Sequence, residues 1–382
     1  MEKKHIKKHR IAMAGGWTGG HVFPIKSLVE HLEQNKIFSD EISHLFWFWS
    51  KESLEESVFK KILQNREGPK FSFIHISSGK FRRETFMRSH LKNFGDFRLF
   101  LFGIIQSLRY LKKYKIDTIF CKWWYVALPV VVAGKLLRKK IVVHESDTRP
   151  GLVNKLASKM ANKVFTWFDD VLPNAETIGQ IISDDLIFDG NFKDMPDIKE
   201  MFDQEDRSKT RILVVWWSQW SQRLYQSLIR AIQTDKTLQT EFVFFVVLGL
   251  LNKDLAKEFE WFDNIHVFEF VSQKEMWALC AHCDIALTRA GTTSLAEQKL
   301  YDMKLFIVPI AWTHDQYQNA ERYQKNYWDV FLDQRNDDFL NKLVSEFKKY
   351  KEFKKELSHN NKAEIIHTAK DKVWAALLNI TL

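Results

Sequence analysis

Arg10-Ile-Ala-Met-Ala-Gly-Gly-Trp-Thr-Gly-Gly-His-Val-Phe-Pro24 decides the fold class. Residues 10–14 form a short apolar run that reads as a strand, glycines follow, and residues 23–34 recur at the spacing of an amphipathic helix. A loop that leaves a strand and opens a helix offers backbone N–H groups and a helix N-terminus to a phosphate or a developing anion. Glycine suits such a loop because it allows positive φ and lets a ligand approach the backbone closely. The same alternation continues outward. Residues 43–48, 71–76, 118–121, 140–144 and 163–166 read as strands, with helices between them such as 97–114 and 129–137. A second round begins at Arg211-Ile-Leu-Val-Val215 and repeats loop, helix (221–234) and strand (242–248), onward to 306–309. Alternation of this kind predicts parallel sheets with helices on both faces.

The fold class expected is therefore α/β, with two Rossmann-like domains facing across a cleft. The first domain is placed at residues 1–178 and the second at 179–359, with a C-terminal helix at about 360–382 packing back on the first. A length of 382 residues suits two such domains. Ligands are expected outside the carboxyl ends of the strands. The chain is 45% hydrophobic and 27% charged, which is globular rather than disordered. No stretch approaches the roughly 18 uncharged apolar residues that span a bilayer. The basic start is followed by a strand rather than the apolar core of a signal peptide. Three cysteines without a secretory signal argue for a reducing compartment. Cys280 and Cys283 form a lone pair with His282 between them, and plain packing is expected there because no second ligand pair accompanies them.

Charge is unevenly spread. The chain carries +9, and residues 80–115 alone hold ten Lys/Arg against Glu84 and Asp96. Phe81, Phe86, Phe94, Phe97, Phe100 and Phe102 are interleaved with them. Basic and aromatic side chains together suit an anionic membrane surface. A solvated helix with ordinary core phenylalanines is the alternative. Nucleic acid is not an expected partner, since no recognition motif accompanies the charge.

Further loops repeat the logic of the first. Ser218 and Gln219 follow the strand at 211–215, and Thr288-Arg-Ala-Gly-Thr-Thr-Ser-Leu-Ala-Glu297 again joins strand to helix. A carboxylate at Glu297 could accept two hydrogen bonds from a ribose diol. Taken together these segments resemble the MurG family. Gly-Gly-Trp17-Thr-Gly-Gly-His resembles its Gly-Gly-Gly-Thr-Gly-Gly-His, and His144-Glu-Ser-Asp-Thr-Arg-Pro-Gly-Leu-Val-Asn-Lys155 resembles its His-Glu-Gln-Asn…Pro-Gly…Asn-Lys. Trp216-Trp-Ser-Gln-Trp220 resembles Gly-Gly-Ser-Gln-Gly, while Arg289 to Glu297 and Asp315-Gln-Tyr-Gln-Asn-Ala320 fall in family order. The resemblance runs from about residue 10 to residue 335.

It implies the two-domain GT-B fold and a hexosyltransferase that moves N-acetylglucosamine from UDP-N-acetylglucosamine to lipid I, a polyprenyl-diphosphate-linked muropeptide, inverting the anomeric carbon. It also implies no metal or other cofactor, and a peripheral position on the cytoplasmic face of the membrane. An enzyme of the same fold with a diacylglycerol acceptor is the alternative, as is an inactive membrane-surface homologue. His21 is the implied general base, its imidazole kept neutral by the start of a helix. On the donor, the resemblance places Thr18, Gly19, Gly20, Asp147, Ser218, Gln219, Val271, Gly291, Thr292, Thr293, Ser294, Leu295, Ala296, Glu297, Gln316 and Asn319. On the acceptor side it places Tyr125, His144 and Glu145, with Asn154 as an alternative structural residue. Two departures stand out: Asp147 replaces a common Asn, and Ser183 in Ile178-Gly-Gln-Ile-Ile-Ser183 replaces a donor-contacting arginine.

A third departure is systematic. Family glycines appear as Trp17, Trp123, Trp124, Trp216, Trp217 and Trp220, and Trp49, Trp167, Trp312 and Trp328 also sit where glycine would be natural. An indole disfavours positive φ and would fill the space of a diphosphate. Glycine numbers 14 and tryptophan 14, so glycine is about half its usual share and the two together restore it. A gene reading UGA as glycine, rendered with UGA as tryptophan, accounts for this pattern. Trp47 and Trp374, in apolar settings, read as genuine. Decay of an inactive homologue would scatter replacements of many kinds.

Overall fold

The computed structural model describes residues 8–16, 19–49, 69–79, 87–122, 125–184, 187–216, 221–249, 252–356 and 362–381, with side chains described outside 19–21, 33, 87–94 and 314. The chain forms two compact units, Met1–Asp184 with Ala363–Leu382, and Asp185–Lys362.

In the first unit the elements run β1 His9–Ala14, α1 Gly19–Gln34, β2 Ile42–Trp49, β3 Lys70–His75, α2 Met87–Lys113, β4 Thr118–Cys121, α3 Ala127–Leu136, β5 Lys140–Glu145, α4 Leu152–Met160, β6 Lys163–Thr166 and β7 Glu176–Thr177. Every strand pairing is parallel, in the order β3-β2-β1-β4-β5-β6-β7. The strands are apolar because helices cover both faces. Ile11, Met13, Leu45 and Trp47 point to one core with Val22, Ile25 and Leu28 of α1. Ala12, Ala14, Phe46 and Phe48 point to the other, with Ala127, Val130 and Val131 of α3. Gly134 of α3 lies so near the sheet that a Cβ there would sit 2.2 Å from Ile119 Cδ1.

The first helix starts a turn earlier than its apolar spacing indicates. Pro24 suggests a beginning near Phe23, yet α1 opens at Gly19, so Gly19, Gly20 and His21 make its first turn. Proline at the sixth helical position lies past the first turn and removes the one intrahelical bond that residue 24 would otherwise donate. Similarly, α2 begins at Met87, ten residues before the aromatic run at 97.

The second unit continues with α5 Pro196–Gln204, β8 Thr210–Val215, α6 Gln222–Thr234, β9 Phe242–Val247, β10 Ile265–Phe268, α7 Gln273–His282, β11 Ile285–Thr288, α8 Thr292–Leu300, β12 Lys304–Ile307, α9 His314–Tyr327, β13 Val330–Phe331 and α10 Phe339–Lys349. Its sheet is again wholly parallel, in the order β10-β9-β8-β11-β12-β13. Phe242-Val-Phe-Phe-Val-Val247 is buried at every position, as a central parallel strand requires. Helix α7 opens on a capping box between Ser272 and Glu275.

After α10 the chain returns to the first unit as α11, Lys362–Leu378. Val373, Trp374, Leu377 and Leu378 of α11 belong to the core beneath α1. Trp374 is fully buried and donates its indole N–H to Leu28 O at 3.0 Å. Among the described residues no helix is long and apolar enough to cross a membrane.

Candidate functional site

In each sheet the strand order reverses at one point, between β1 and β4 in the first unit and between β8 and β11 in the second. Loops diverge there at the carboxyl ends of the strands, which makes a crevice for a ligand. Of the sequence-derived site residues, Gly19, Gly20 and His21 follow β1, Tyr125 follows β4 and Gly291 to Glu297 follow β11, while Asp147, Val271, Gln316 and Asn319 lie on neighbouring loops and helices.

At the first, the loops after β1 and β4 touch. Lys122 N donates to Ala14 O at 2.9 Å, and a Cβ on Gly15 would lie 2.7 Å from Lys122 O. Trp47 Nε1 donates to Gly15 O at 2.8 Å, which fixes the opening of the glycine loop. Thr18 lies outside the described residues, as do Trp17, Trp123 and Trp124; for His21 the structure gives only its place in the first turn of α1. Tyr125 follows the β4 loop and is half-buried.

The floor beneath these loops is a buried polar network. Lys122, 1% exposed, donates to His144 Nδ1 at 2.6 Å and to Ser146 Oγ. Ser146 Oγ then donates to Gln180 Oε1 at 2.7 Å, and His144 Nε2 lies 3.0 Å from Gly179 O. With the lysine donating to Nδ1, the histidine is neutral and carries its proton on Nε2. Burial and then the Lys122 charge hold His144 well below the usual imidazole range. Burial also lowers the Lys122 ammonium and raises the Glu145 carboxyl. The Glu145 carboxylate accepts from Ser146 N at 2.7 Å, Asp147 N at 3.0 Å and Asn154 Nδ2 at 3.0 Å. His144, Glu145 and Asn154 thus spend their described hydrogen bonds on the chain itself, holding the loop that follows β5. Asp147 lies at the half-buried turn of that loop. Lys122 escaped the sequence reading because a lone lysine after a short strand looks like an ordinary surface residue.

At the second switch point Ser218 and Gln219 lie outside the described residues, with Trp217 and Trp220. Trp216 is 1% exposed, its ring centroid 4.9 Å from that of Tyr225 and its indole N–H buried with no partner. An orphaned buried donor is unfavourable, and glycine in its place would carry no such group. After β11, Gly291 is the N-cap of α8 and makes no side-chain cap. Thr292, Thr293 and Ser294 are thus the first turn, whose N–H groups point out of the helix without intrahelical acceptors.

That turn is held from beneath. Arg289 donates to Val308 O at 3.1 Å and Pro309 O at 3.3 Å, and Asn319 Nδ2 donates to Ala290 O at 3.2 Å. Asn319 is buried and so ties α9 to the loop. Gln316, in the first turn of α9, accepts from Ile310 N at 3.0 Å. Leu295 and Ala296 are buried with the core-facing side of α8, and Leu295 N is already bonded to Gly291 O at 3.0 Å. Val271 is buried immediately before the α7 cap. Burial pushes the Glu297 carboxyl up to about 8.

Cys280 and Cys283 are free, buried thiols, and burial raises both, Cys280 to about 12. His282 stacks on Phe202 with ring centroids 4.7 Å apart, its Nδ1 2.9 Å from Ala278 O.

Known proteins resemble this chain in sequence and fold. Residues 11–166 match the glycosyltransferase family 28 N-terminal domain, and residues 212–374 its C-terminal domain. The UDP-N-acetylglucosamine–N-acetylmuramyl-(pentapeptide) pyrophosphoryl-undecaprenol N-acetylglucosamine transferase of Staphylococcus carnosus is 30% identical over 325 residues, 82% of each chain. Its namesake from Borreliella afzelii is 29% identical over 351 residues, 90% of each. The crystal structure of Acinetobacter baumannii MurG superposes with a TM-score of 0.70 at 19% identity, covering 98% of this chain and all of that one, a likeness of fold. Both halves match in order, and the chain belongs to the MurG family of glycosyltransferases.

Proposed function

We propose that this enzyme transfers N-acetylglucosamine from UDP-N-acetylglucosamine to the muramyl 4-hydroxyl of lipid I, forming lipid II with inversion at the anomeric carbon. The observation that carries the reading is the pair of switch-point loops that each open a helix, supported by full-length relatives named for this reaction. His21, in the first turn of α1, removes the hydroxyl proton, its imidazole kept neutral by the helix N-terminus. The departing diphosphate is stabilised by backbone N–H groups and helix dipoles, which are already oriented when charge develops. Thr18, Gly19 and Gly20 are the residues proposed for this in the first unit, and Ser218, Gln219 and the first turn of α8 are those proposed in the second. Glu297 accepts from the ribose hydroxyls, and Gln316 and Asp147 meet the sugar.

This chemistry needs glycine at the motif tryptophans, and we infer that the gene encodes glycine there by UGA. Trp328 supports that reading. It terminates α9 at φ 58°, ψ 24°, with its side chain 81% exposed. The left-handed position that closes a helix is the usual place for glycine and a poor one for a bulky ring.

The enzyme works at an anionic lipid surface. On α2 the apolar Phe97, Leu99, Leu101, Phe102 and Ile105 are exposed alongside the exposed Arg98, Arg109, Lys112 and Lys113. Such a face combines shallow insertion with attraction to anionic headgroups.

The test compares the chain as written with one carrying glycine at positions 17, 123, 124, 216, 217 and 220, using labelled UDP-N-acetylglucosamine with a lipid I analogue or diacylglycerol as acceptor. The glycine form is expected to glycosylate the muropeptide lipid at least about 10²-fold faster than the tryptophan form. Transfer only to diacylglycerol, or to neither acceptor, overturns the assignment. UGG codons at positions 17, 216 and 217 would overturn the glycine reading by themselves.

A further inference from the structure

One group of ligand-type side chains lies away from both switch points and wholly within the first unit. His31, near the end of α1, is 3% exposed. Its Nε2 lies 2.7 Å from Asp371 Oδ1, while its Nδ1 is buried with no hydrogen-bond partner. Asp184 is the last residue before the chain passes to the second unit, and its Oδ2 is likewise buried without a hydrogen-bond partner, 3.7 Å from His31 Nδ1. His367 of α11 completes the group, with Nε2 2.9 Å from Asp184 Oδ1 and its ring centroid 5.2 Å from that of His31. One ligand atom from each of the three residues lies within 4.8 Å of the others.

His31 Nδ1 and Asp184 Oδ2 face each other as an ion pair at 3.7 Å, a separation longer than a hydrogen bond, so each keeps unused donor or acceptor capacity in the interior, where polar groups are almost always satisfied. We propose that His31 Nδ1, Asp184 Oδ2 and His367 Nε2 bind a divalent cation of the zinc class. Two imidazoles and one carboxylate form a borderline donor set that suits zinc rather than calcium or magnesium. Bonds of about 2.0–2.2 Å in a tetrahedron place ligand atoms roughly 3.3–3.6 Å apart, close to the spacing of these two atoms. Asp371 accepts the Nε2 proton of His31, which leaves the Nδ1 lone pair directed at the site, the usual carboxylate–histidine support of a metal ligand. Lys370 holds the other oxygen of Asp184, and its charge is offset by Asp371 and Glu30. His367, half-exposed, is the ligand free to swing from Asp184 Oδ1 onto the ion. The three ligands come from α1, the segment leaving the unit and α11, stretches far apart in sequence. A bound ion therefore fastens the returning helix to the unit it completes.

The full-length protein, stripped with a chelator, is titrated with zinc by calorimetry and with cobalt by visible absorption. One ion per chain, an intense tetrahedral-type cobalt band and a zinc-dependent rise in Tm are expected. His367→Ala, at the most exposed ligand, should remove all three while leaving the apo Tm unchanged. Asp371→Asn should weaken binding about 10–100-fold. Joint replacement of Cys280 and Cys283 by serine should leave binding intact. Absence of one-to-one binding, binding that survives His367→Ala, or binding lost with the cysteines overturns the proposal.

Discussion

Trp328 places an indole where the backbone turns left-handed, at φ 58°, and the ring gains nothing from burial, being 81% exposed. A side chain in this region costs roughly 1–2 kcal/mol that glycine does not incur. In the chain as written, Trp328→Gly should stabilise the second unit by about 1 kcal/mol, read from urea or thermal unfolding. A loss of stability would mean the indole makes contacts that outweigh the strain. His21→Ala, in the glycine form of the enzyme, should lower kcat by about 10²–10⁴ while leaving the KM for the sugar nucleotide nearly unchanged, as loss of a proton acceptor does. His144 carries a pH dependence of its own. Its folded pKa is depressed by burial and by Lys122, so the folded state refuses a proton that the unfolded chain takes near about 6.5. That contribution is complete above the unfolded value and drains away as pH falls below it. Unfolding midpoints of a His144→Asn variant should therefore decline less than those of the parent between about pH 6.5 and 4.5. At this scale the motif residues were legible because glycines, His21 and Glu297 sit at fixed offsets from apolar runs. Lys122 was not, since its meaning depends on Ser146 and His144 meeting it across the sheet.

Elements were legible wherever a run was long and apolar. Residues 242–248 and 211–215 announce themselves by continuous Val, Phe and Leu, and they are β9 and β8. Strands β7 and β13, of two residues each, carry no pattern and exist because a neighbouring strand offers an edge. Helix starts were the weaker reading, since Pro24 pointed to a beginning that α1 passes by a turn. Composition does not separate the face of α2 from a solvated helix; the structure adds that Phe97, Phe102 and Ile105 are exposed beside Arg98 and Arg109. Apolar side chains so displayed predict binding to vesicles rich in anionic lipid, weak to neutral ones, and reduced by salt as the Debye length shrinks from about 10 Å at 0.1 M. Phe102→Asp with Ile105→Asp should abolish sedimentation with such vesicles and leave transfer to a soluble acceptor unchanged. Equal binding to neutral vesicles would contradict the electrostatic part of this account.

At the scale of the molecule, two parallel sheets were legible from one alternation met twice, and the Rossmann-like halves are present. What sequence could not supply is the set of contacts joining distant stretches, such as Trp374 against Leu28 or His31 against Asp371. The route of the chain has a consequence for how the protein is made. The unit that begins at Met1 lacks part of its core until Val373, Trp374 and Leu377 arrive, whereas the unit from Asp185 to Lys362 is continuous. On the ribosome, the half synthesised first is thus the half completed last. Released chains truncated after residue 362 should resist protease across the second half while the first is still cut. Protection of the first half should appear only once the final twenty residues have cleared the exit tunnel.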